Sequence, residues 1–553
     1  MQLLPTRQAT LLALLSGLLW VFAWPGTGAM WPLGLVAFVP LMQIALWVQN
    51  GELSLREGVS KSIITWVIWN AGTLYFLAGI EQSWSTRLIS YATPVLINTF
   101  LMSVCTALSW FVLKHWSRAL GWILWPVLWL AMEWLQHHGS LAFPWLALGN
   151  AMAEHTQWVQ WYSLTGVAGG TLWIWLVNFA FFFFMQTVIT SSGNRRWLVA
   201  GLPVGLILLP MLVSQLIYRS FQLPKPWMSA VIIQPCLSLE DEKFNRDEQL
   251  SLLQKMLNDA AIAGKSDLVV LPETAIFDPG RMHGNENTLR FSGIWHHDTD
   301  NSELLHEARS WLKEHGSGTL ISGAFTSRFF AKGEEAPVYA VPVPGLAGAK
   351  VLHFNSVVVL DSLQTTLRHK TMLVAGVEQI PLADVFPWMN QLALDLGGYA
   401  GSLGNEPPQT IRLSGGIEAA VMICYDSAFG WLSQEVVKNG AEALVVVTND
   451  AWWGDTPGYK QLFSMARLRA LETRRPLVRA ANNGISAYIN AKGEVEHQLP
   501  WNMKSVLRID FAPMQMITMY VRYGDVIYRI SAWLVPILLV LAVVRAKLGS
   551  RYI

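Results

Sequence analysis

The stretch 420–430, AVMICYDSAFG, carries four apolar residues straight into a thiol and then turns small and polar. A near-continuous apolar run of this kind reads as a β-strand buried on both faces. Cys424 closes the strand, where a thiol is either a small buried hydrophobe or a nucleophile. The other cysteines, Cys105 and Cys236, are too few for a disulfide framework and lack the paired spacing of a zinc site. Both read as structural.

Six more short β-rich runs surround this one: MSAVIIQP (228–235), SDLVVLPE (266–273), GTLISGAF (318–325), NSVVVLD (355–361), ALVVVTND (443–450) and ISAYINAKG (485–493). Helical patterns fall between them at 246–264, 302–316 and 459–472. Alternation of strands and helices predicts an α/β domain with covered sheets over about residues 219–527. Roughly 300 residues bury a substantial core without disulfides.

The rest of the chain is different in kind. Of 553 residues 52% are hydrophobic and only 14% charged, with a mean hydropathy of +0.34. Soluble domains carry about 25% charged residues, so part of this protein belongs in lipid. Apolar stretches near 9–24, 30–48, 62–80, 90–113, 119–136, 164–190, 197–217 and 528–545 approach the roughly 20 residues that span a bilayer. The first is expected to remain as an uncleaved helix, because six more spans follow it closely. Residues 1–218 then form a membrane domain of seven helices, and 528–553 an eighth helix with a tail.

Lysine and arginine set the orientation. Alternate connections hold Arg7, then Arg56 and Lys61, Lys114 and Arg118, Arg195 and Arg196, and finally Arg545, Lys547 and Arg551. The intervening short loops carry only Arg87. Both ends are therefore expected in the cytoplasm and the α/β region on the outer side. The 28 tryptophans fit the preference of indoles for the water–lipid boundary. A net charge of +1 gives no footprint for nucleic acid.

Three segments of the α/β region bring chemistry to strand ends, where reactive groups gather in open α/β folds. SDLVVLPE ends on Glu273, RHKTMLVAGVEQIP carries Lys370 and Glu378, and EAAVMICYD reaches Cys424. An acid can take the thiol proton, and an ammonium can stabilise a thiolate and then an oxyanion. The Tyr425 N–H, at the turn after the thiol, is a second oxyanion donor. Taken singly, each residue also fits a plain role: a buried hydrophobe, a helix-capping acid, a solvated lysine. Neither HExxH, a phosphate loop nor a GxSxG elbow is present, so no metal or cofactor is expected.

Taken together, LPETAIF, HKTMLVAGVEQIP and MICYD resemble the nitrilase (carbon–nitrogen hydrolase) superfamily, whose Glu–Lys–Cys triad sits on an α-β-β-α sandwich. TNDAWWG (448–454), KQLFSMARLRALE (460–472), RPLVRAANNGIS (475–486) and FPWLALGN (143–150) resemble its membrane-integrated branch, the apolipoprotein N-acyltransferases. The resemblance implies Glu273, Lys370 and Cys424 as catalytic residues, supported by Tyr425 and Glu378. It also implies a phospholipid acyl donor, a diacylglyceryl apolipoprotein acceptor, and a monomer in the inner membrane with its catalytic domain in the periplasm. Trp452 and Trp145 read as substrate guides. The segment 381–404, with Phe386 and Trp388, reads as a lid dipping into lipid. Asp426 stands where the family usually carries Glu, Leu462 where a His often sits, and Ala375 in a variant lysine loop.

Two alternatives use other chemistry. A membrane-tethered amidase passes the acyl group to water, and a polytopic transporter uses the outer domain as an accessory. No span carries the paired charges of a translocation path; Glu133 reads as a structural acid near a span end.

Overall fold

The computed structural model describes residues 4–80, 83–139, 142–190, 195–237, 248–277, 294–343, 345–380 and 402–549. The chain divides into two compact units. One comprises Met1–Phe221, Thr456–Ser464 and Tyr523–Ile553; the other comprises Gln222–Asp455 and Met465–Arg522.

The first unit is helical: α1 (Leu4–Ala23), α2 (Val39–Asn50), α3 (Leu55–Leu74), α4 (Trp84–His115), α5 (Arg118–His138), α6 (Tyr162–Thr190) and α7 (Arg195–Ser220). Local sequence fixes the helix starts. Ser54 and Glu57 form a reciprocal capping box at α3, and Ser83 caps α4 by accepting from Thr86 N. The core is aromatic. Trp20 stacks on Trp69 at 4.7 Å and Phe38 on Trp175 at 4.5 Å, with Trp24, Trp66, Trp125 and Trp129 packed around them. These indoles are fully buried, so many tryptophans fill the bundle interior instead of lining the lipid boundary. Offset and edge-on aromatic pairs contribute about 0.5–1.5 kcal/mol each beyond the area they bury.

The second unit holds fourteen described strands in two sheets. The first sheet uses β1 (Met228–Gln234), β2 (Leu268–Val270), β3 (Ile294–Trp295), β4 (Thr319–Phe330), β5 (Val341–Pro342), β6 (Lys350–Leu360) and β7 (Thr365–His369). The second uses β8 (Thr410–Arg412), β9 (Glu418–Ile423), β10 (Ala443–Thr448), β11 (Leu477–Ala481), β12 (Ala487–Ile489) and β13 (Val495–Gln498). The last strand, β14 (Ser505–Phe511), returns to the first sheet, whose order is β14-β1-β2-β4-β6-β5, with β3 on β4 and β7 on β6. The second runs β13-β12-β11-β10-β9-β8.

The two sheets face each other through β1 and β11, β4 and β10, and β6 and β9. Helices α8 (Gln249–Ile262) and α9 (Glu303–His315) pack on the first sheet. In α9 the buried positions Leu304, Leu305, Ala308, Trp311 and Leu312 follow one helical face. Ser302 caps its start, and Gly316 ends it at a φ of 59°. Each large apolar side chain so buried contributes about 1.5–3 kcal/mol. Three further helices follow in the chain, α10 (Gly430–Lys438), α11 (Pro457–Thr473) and the short α12 (Met519–Tyr523).

The chain returns to the helical unit in α13 (Val526–Gly549). There Glu133 of α5 is fully buried, and its carboxylate accepts from Trp129 Nε1, Leu148 N, Thr171 Oγ1 and Tyr528 Oη at 2.7–3.0 Å. Four donors saturate the carboxylate, as a structural acid requires. Among the described residues seven helices are long and apolar enough to cross a membrane: Thr6–Ala23, Trp31–Asn50, Leu55–Gly79, Trp84–His115, Tyr162–Ile189, Gly201–Ser220 and Val526–Leu548. The eighth stretch expected, 119–136, folds as α5 but is not among them. Its Glu133, Gln136 and histidines at 137–138 dilute its apolar character.

Candidate active site

Cys424 follows β9 directly and sits at a φ of 50°. A left-handed residue at a strand end turns the chain sharply, at a strain of about 1–3 kcal/mol. The turn continues as a 3-10 segment, Cys424–Ala428, closed by Ser427 Oγ donating to Cys424 O at 2.7 Å. Tyr425 is the second residue of this segment. Helix α10 starts only at Gly430, so a turn separates the helix from the thiol. Because β9 and β10 are parallel with Val447 opposite Ile423, Thr448 is level with Cys424.

Glu273 lies three residues past β2, again at a sharp turn: Thr274 has a φ of 48°. Gly323 of β4 makes this turn possible, since Gly323 N donates to Pro272 O at 3.1 Å. A Cβ on Gly323 would meet Glu273 Cα and Thr274 N at 2.4 Å.

Lys370 follows β7. Ser356 of β6 pairs with His369, so the next residue on β7's side falls opposite Asn355, and Lys370 N donates to Asn355 O at 2.9 Å. The Lys370 side chain is almost completely buried. Its Nζ lies 2.8 Å from Glu378 Oε2 and 2.9 Å from Oε1, but 3.7 Å from Glu273 Oε1. Glu378 is held in turn by Val374 N at 2.9 Å. Asn355 Nδ2 donates to both acids, to Glu273 Oε1 and to Glu378 Oε1, at 2.8 Å each.

The second sheet adds its own supports. Asn449 N, just past β10, donates to Glu273 Oε2 at 2.8 Å. Its neighbour Asp450 is gripped bidentately by Arg479 of β11 at 3.0 Å, and Thr448 Oγ1 donates to Asp450 Oδ1 at 3.0 Å. Asp426 ties the cysteine turn to the lysine loop, accepting from Met372 N at 2.7 Å and Ile423 N at 3.0 Å. The shorter acid at this family position therefore still reaches both segments.

Electrostatics define the resting state. Burial pushes the Cys424 thiol well above its ordinary value, and the charge of Glu273 pushes it further, against opposing pulls from Lys370 and Thr448. A buried cluster containing several carboxylates favours the neutral thiol over the thiolate. Burial alone would lower the Lys370 ammonium, but Glu378 and Glu273 outweigh it and hold the group above its ordinary value. Asp426 is raised to about 6, chiefly by burial, with Lys370 and its main-chain donors pulling the other way. Such a site can couple sulfur attack to proton transfer, with a fixed positive charge beside the developing oxyanion.

Glu273, Lys370, Glu378, Cys424 and Tyr425 thus share one unit and one cluster. Trp452 is half-buried on the 3-10 turn Asp450–Trp453 that follows Asn449. Trp145 belongs to the helical unit, where it is buried, packs on Phe76 and Phe143, and donates to Gln461 Oε1. Phe386 and Trp388 lie outside the described residues, as does most of the segment read as a lid. Sequence reasoning missed Asn355, Asn449, Asp450 and Arg479. For Asn355, Asn449 and Asp450 the available signal was a polar residue starting or ending an otherwise apolar run, whereas Arg479 sits in the middle of β11.

Carbon-nitrogen hydrolase, as a family, matches residues 229–517, and the apolipoprotein N-acyltransferase N-terminal domain matches residues 16–180. The apolipoprotein N-acyltransferase of Chlorobaculum tepidum is 25% identical over 557 residues, covering 97% of each chain. That of Allorhizobium ampelinum is 28% identical over 583 residues, covering 99% of this chain and 97% of the other. A solved amidase of the nitrilase superfamily from Nesterenkonia AN1 is 16% identical, with a TM-score of 0.37, covering 55% of this chain and 96% of that one. With its apolar helices and these relatives, the protein is a bacterial membrane protein. The chain belongs to the carbon–nitrogen hydrolase family, in the branch that joins this domain to the apolipoprotein N-acyltransferase N-terminal domain.

Proposed function

We propose that this enzyme moves a fatty acyl chain from a membrane phospholipid to the N-terminal α-amine of a diacylglyceryl-cysteine lipoprotein. The observation that carries this reading is one buried cluster of thiol, carboxylate and ammonium in a chain that also supplies apolar helices. Cys424 Sγ attacks the ester carbonyl carbon while its proton passes to Glu273. Lys370 and the Tyr425 N–H hold the oxyanion. The ester C–O bond then breaks, Glu273 returns the proton to the glycerol oxygen, and a thioester remains on Cys424.

In the second half, the α-amine attacks the thioester and Glu273 accepts the amine proton. The C–S bond breaks, an amide forms and Sγ regains its proton. Glu378 fixes Lys370, while Trp452, Trp145, Phe386 and Trp388 guide the substrates. Working at the lipid surface spares each acyl chain a passage through water, which costs about 0.8 kcal/mol per CH2. The distribution of lysine and arginine supports a periplasmic catalytic domain, residues 219–527, with both ends in the cytoplasm.

The test is mass spectrometry of the protein incubated with defined phospholipid. Acyl mass appears on the Cys424 peptide, is absent in Cys424→Ala, and is cleared by diacylated lipopeptide with formation of N-acyl product. Release of free fatty acid without lipopeptide acylation would establish the amidase reading instead.

A further inference from the structure

Strand β10 reads ALVVV over 443–447 and then changes to Thr448, which is as fully buried as the residues before it. Valine has the same shape and would extend the run without a polar atom, whereas a buried hydroxyl costs free energy unless it is bonded. The hydroxyl stands at the position of β10 that is level with Cys424, because Val447 pairs with Ile423 in the parallel ladder. Two partners are seen for it. Thr448 Oγ1 donates to Asp450 Oδ1 at 3.0 Å, and it is hydrogen-bonded to the Cys424 side chain.

A hydroxyl carries one hydrogen and two lone pairs, and that permits an exchange. While its hydrogen points to Asp450, the Thr448 oxygen can only accept from the Cys424 thiol. Once the thiol proton has passed to Glu273, as proposed above, the sulfur becomes an acceptor. The hydroxyl hydrogen can then turn to it by rotation about the Cβ–Oγ1 bond. Asp450 can release that hydrogen, because Arg479 Nη1 and Nη2 hold its two carboxylate oxygens at 3.0 Å independently of Thr448. Packing fixes the carboxylate as well, since a Cβ on Gly484 would collide with Asp450 Oδ2. The surroundings give such a donor its use: burial and the charges of Glu273 and Asp450 all disfavour a negative sulfur. We infer that Thr448 is a further catalytic residue, whose hydroxyl hydrogen swings from Asp450 to Cys424 Sγ as the sulfur gains negative charge. The inference deepens the reading of Cys424 as the nucleophile and rests on it.

The experiment compares wild type, Thr448→Val and Thr448→Ser as full-length protein in detergent, following alkylation of the Cys424 peptide by iodoacetamide with mass spectrometry. Thr448→Val should react at least about tenfold more slowly, the loss of one hydrogen bond to a charged group, while Thr448→Ser, which keeps the hydroxyl, should stay within about twofold of wild type. Melting temperatures should differ little, since Arg479 still grips Asp450. Thioester formation from phospholipid should follow the same order. Alkylation needs neither lipid nor lipopeptide, so the expected order of rates without any thioester would uphold the role of Thr448 and overturn the acyl-transfer reading alone. A Thr448→Val rate equal to wild type, equal losses in both variants, or a loss that tracks a fall in melting temperature would overturn the inference.

Discussion

Asn449 gives its main-chain N–H to the Glu273 carboxylate at 2.8 Å, joining residues 176 positions apart in the chain. The bond runs from the end of β10 in one sheet to the turn after β2 in the other. The Glu273 carboxylate and the Lys370 ammonium thus come from the first sheet and the thiol from the second, and the cluster forms only when the two sheets are packed together.

Glu273→Gln keeps the shape of this contact and removes the proposed proton acceptor. Thioester formation on Cys424 should fall by about 10²–10⁴-fold, the usual contribution of a positioned general base. Single-turnover labelling with phospholipid measures it. Near wild-type labelling would show that another group takes the proton.

Gly323→Ala should act through Glu273 without touching it chemically. The new Cβ would lie 2.4 Å from Glu273 Cα and Thr274 N, so the strand end must shift. A loss of about 1–3 kcal/mol in stability is expected from such overpacking, together with slower acylation of Cys424. Thermal unfolding and labelling on the same sample check both, and an unaltered enzyme would contradict the close approach of the two strands.

Arg479→Met strands the Asp450 carboxylate, which is fully buried and held by both guanidinium nitrogens. Breaking a buried pair from one side costs about 3–5 kcal/mol. The unfolding transition should shift down strongly, and Arg479→Met with Asp450→Leu should recover part of the loss. Failure of the second change to restore any stability would mean that the pair is not the source of the defect.

Acid should weaken the α/β unit through its buried histidines. Burial holds His353 at about 4, below its ordinary 6.5, and its Nδ1 is paired with Ser327 Oγ at 2.8 Å. As pH falls, the unfolded chain binds the proton first. The stability contributed by the neutral ring is therefore whole above about 6.5 and is lost as pH falls through about 4. His353→Gln should flatten the decline in melting temperature between pH 7 and pH 4.5; an identical slope in wild type and variant would rule this out.

Much of the fold was legible because burial writes it into local pattern. The seven apolar runs became β1, β2, β4, β6, β9, β10 and β12, since strands covered on both faces stay apolar along their length. The strands that escaped notice include β7, TTLRH, and β14, SVLRIDF. Both are only partly buried and mix polar with apolar residues, so neither leaves a continuous apolar signature. The proposed catalytic positions were visible as charged or thiol residues at strand ends. Asn355 was not, because an asparagine opening an apolar run looks like an ordinary turn residue until two carboxylates are seen against it.

By itself the sequence determined the helical and α/β halves, the strand ends that carry Glu273, Lys370 and Cys424, and the family. Periodicity, apolar length and residue chemistry are local properties, and local order along the chain is enough to read them. Only the tertiary structure decided that Lys370 bonds Glu378 in preference to Glu273, that burial and Glu273 push the thiol toward its neutral form, and that Asn355 and Asn449 both donate to Glu273. Those outcomes depend on distances and burial among groups far apart in sequence, and such distances arise only when the sheets pack.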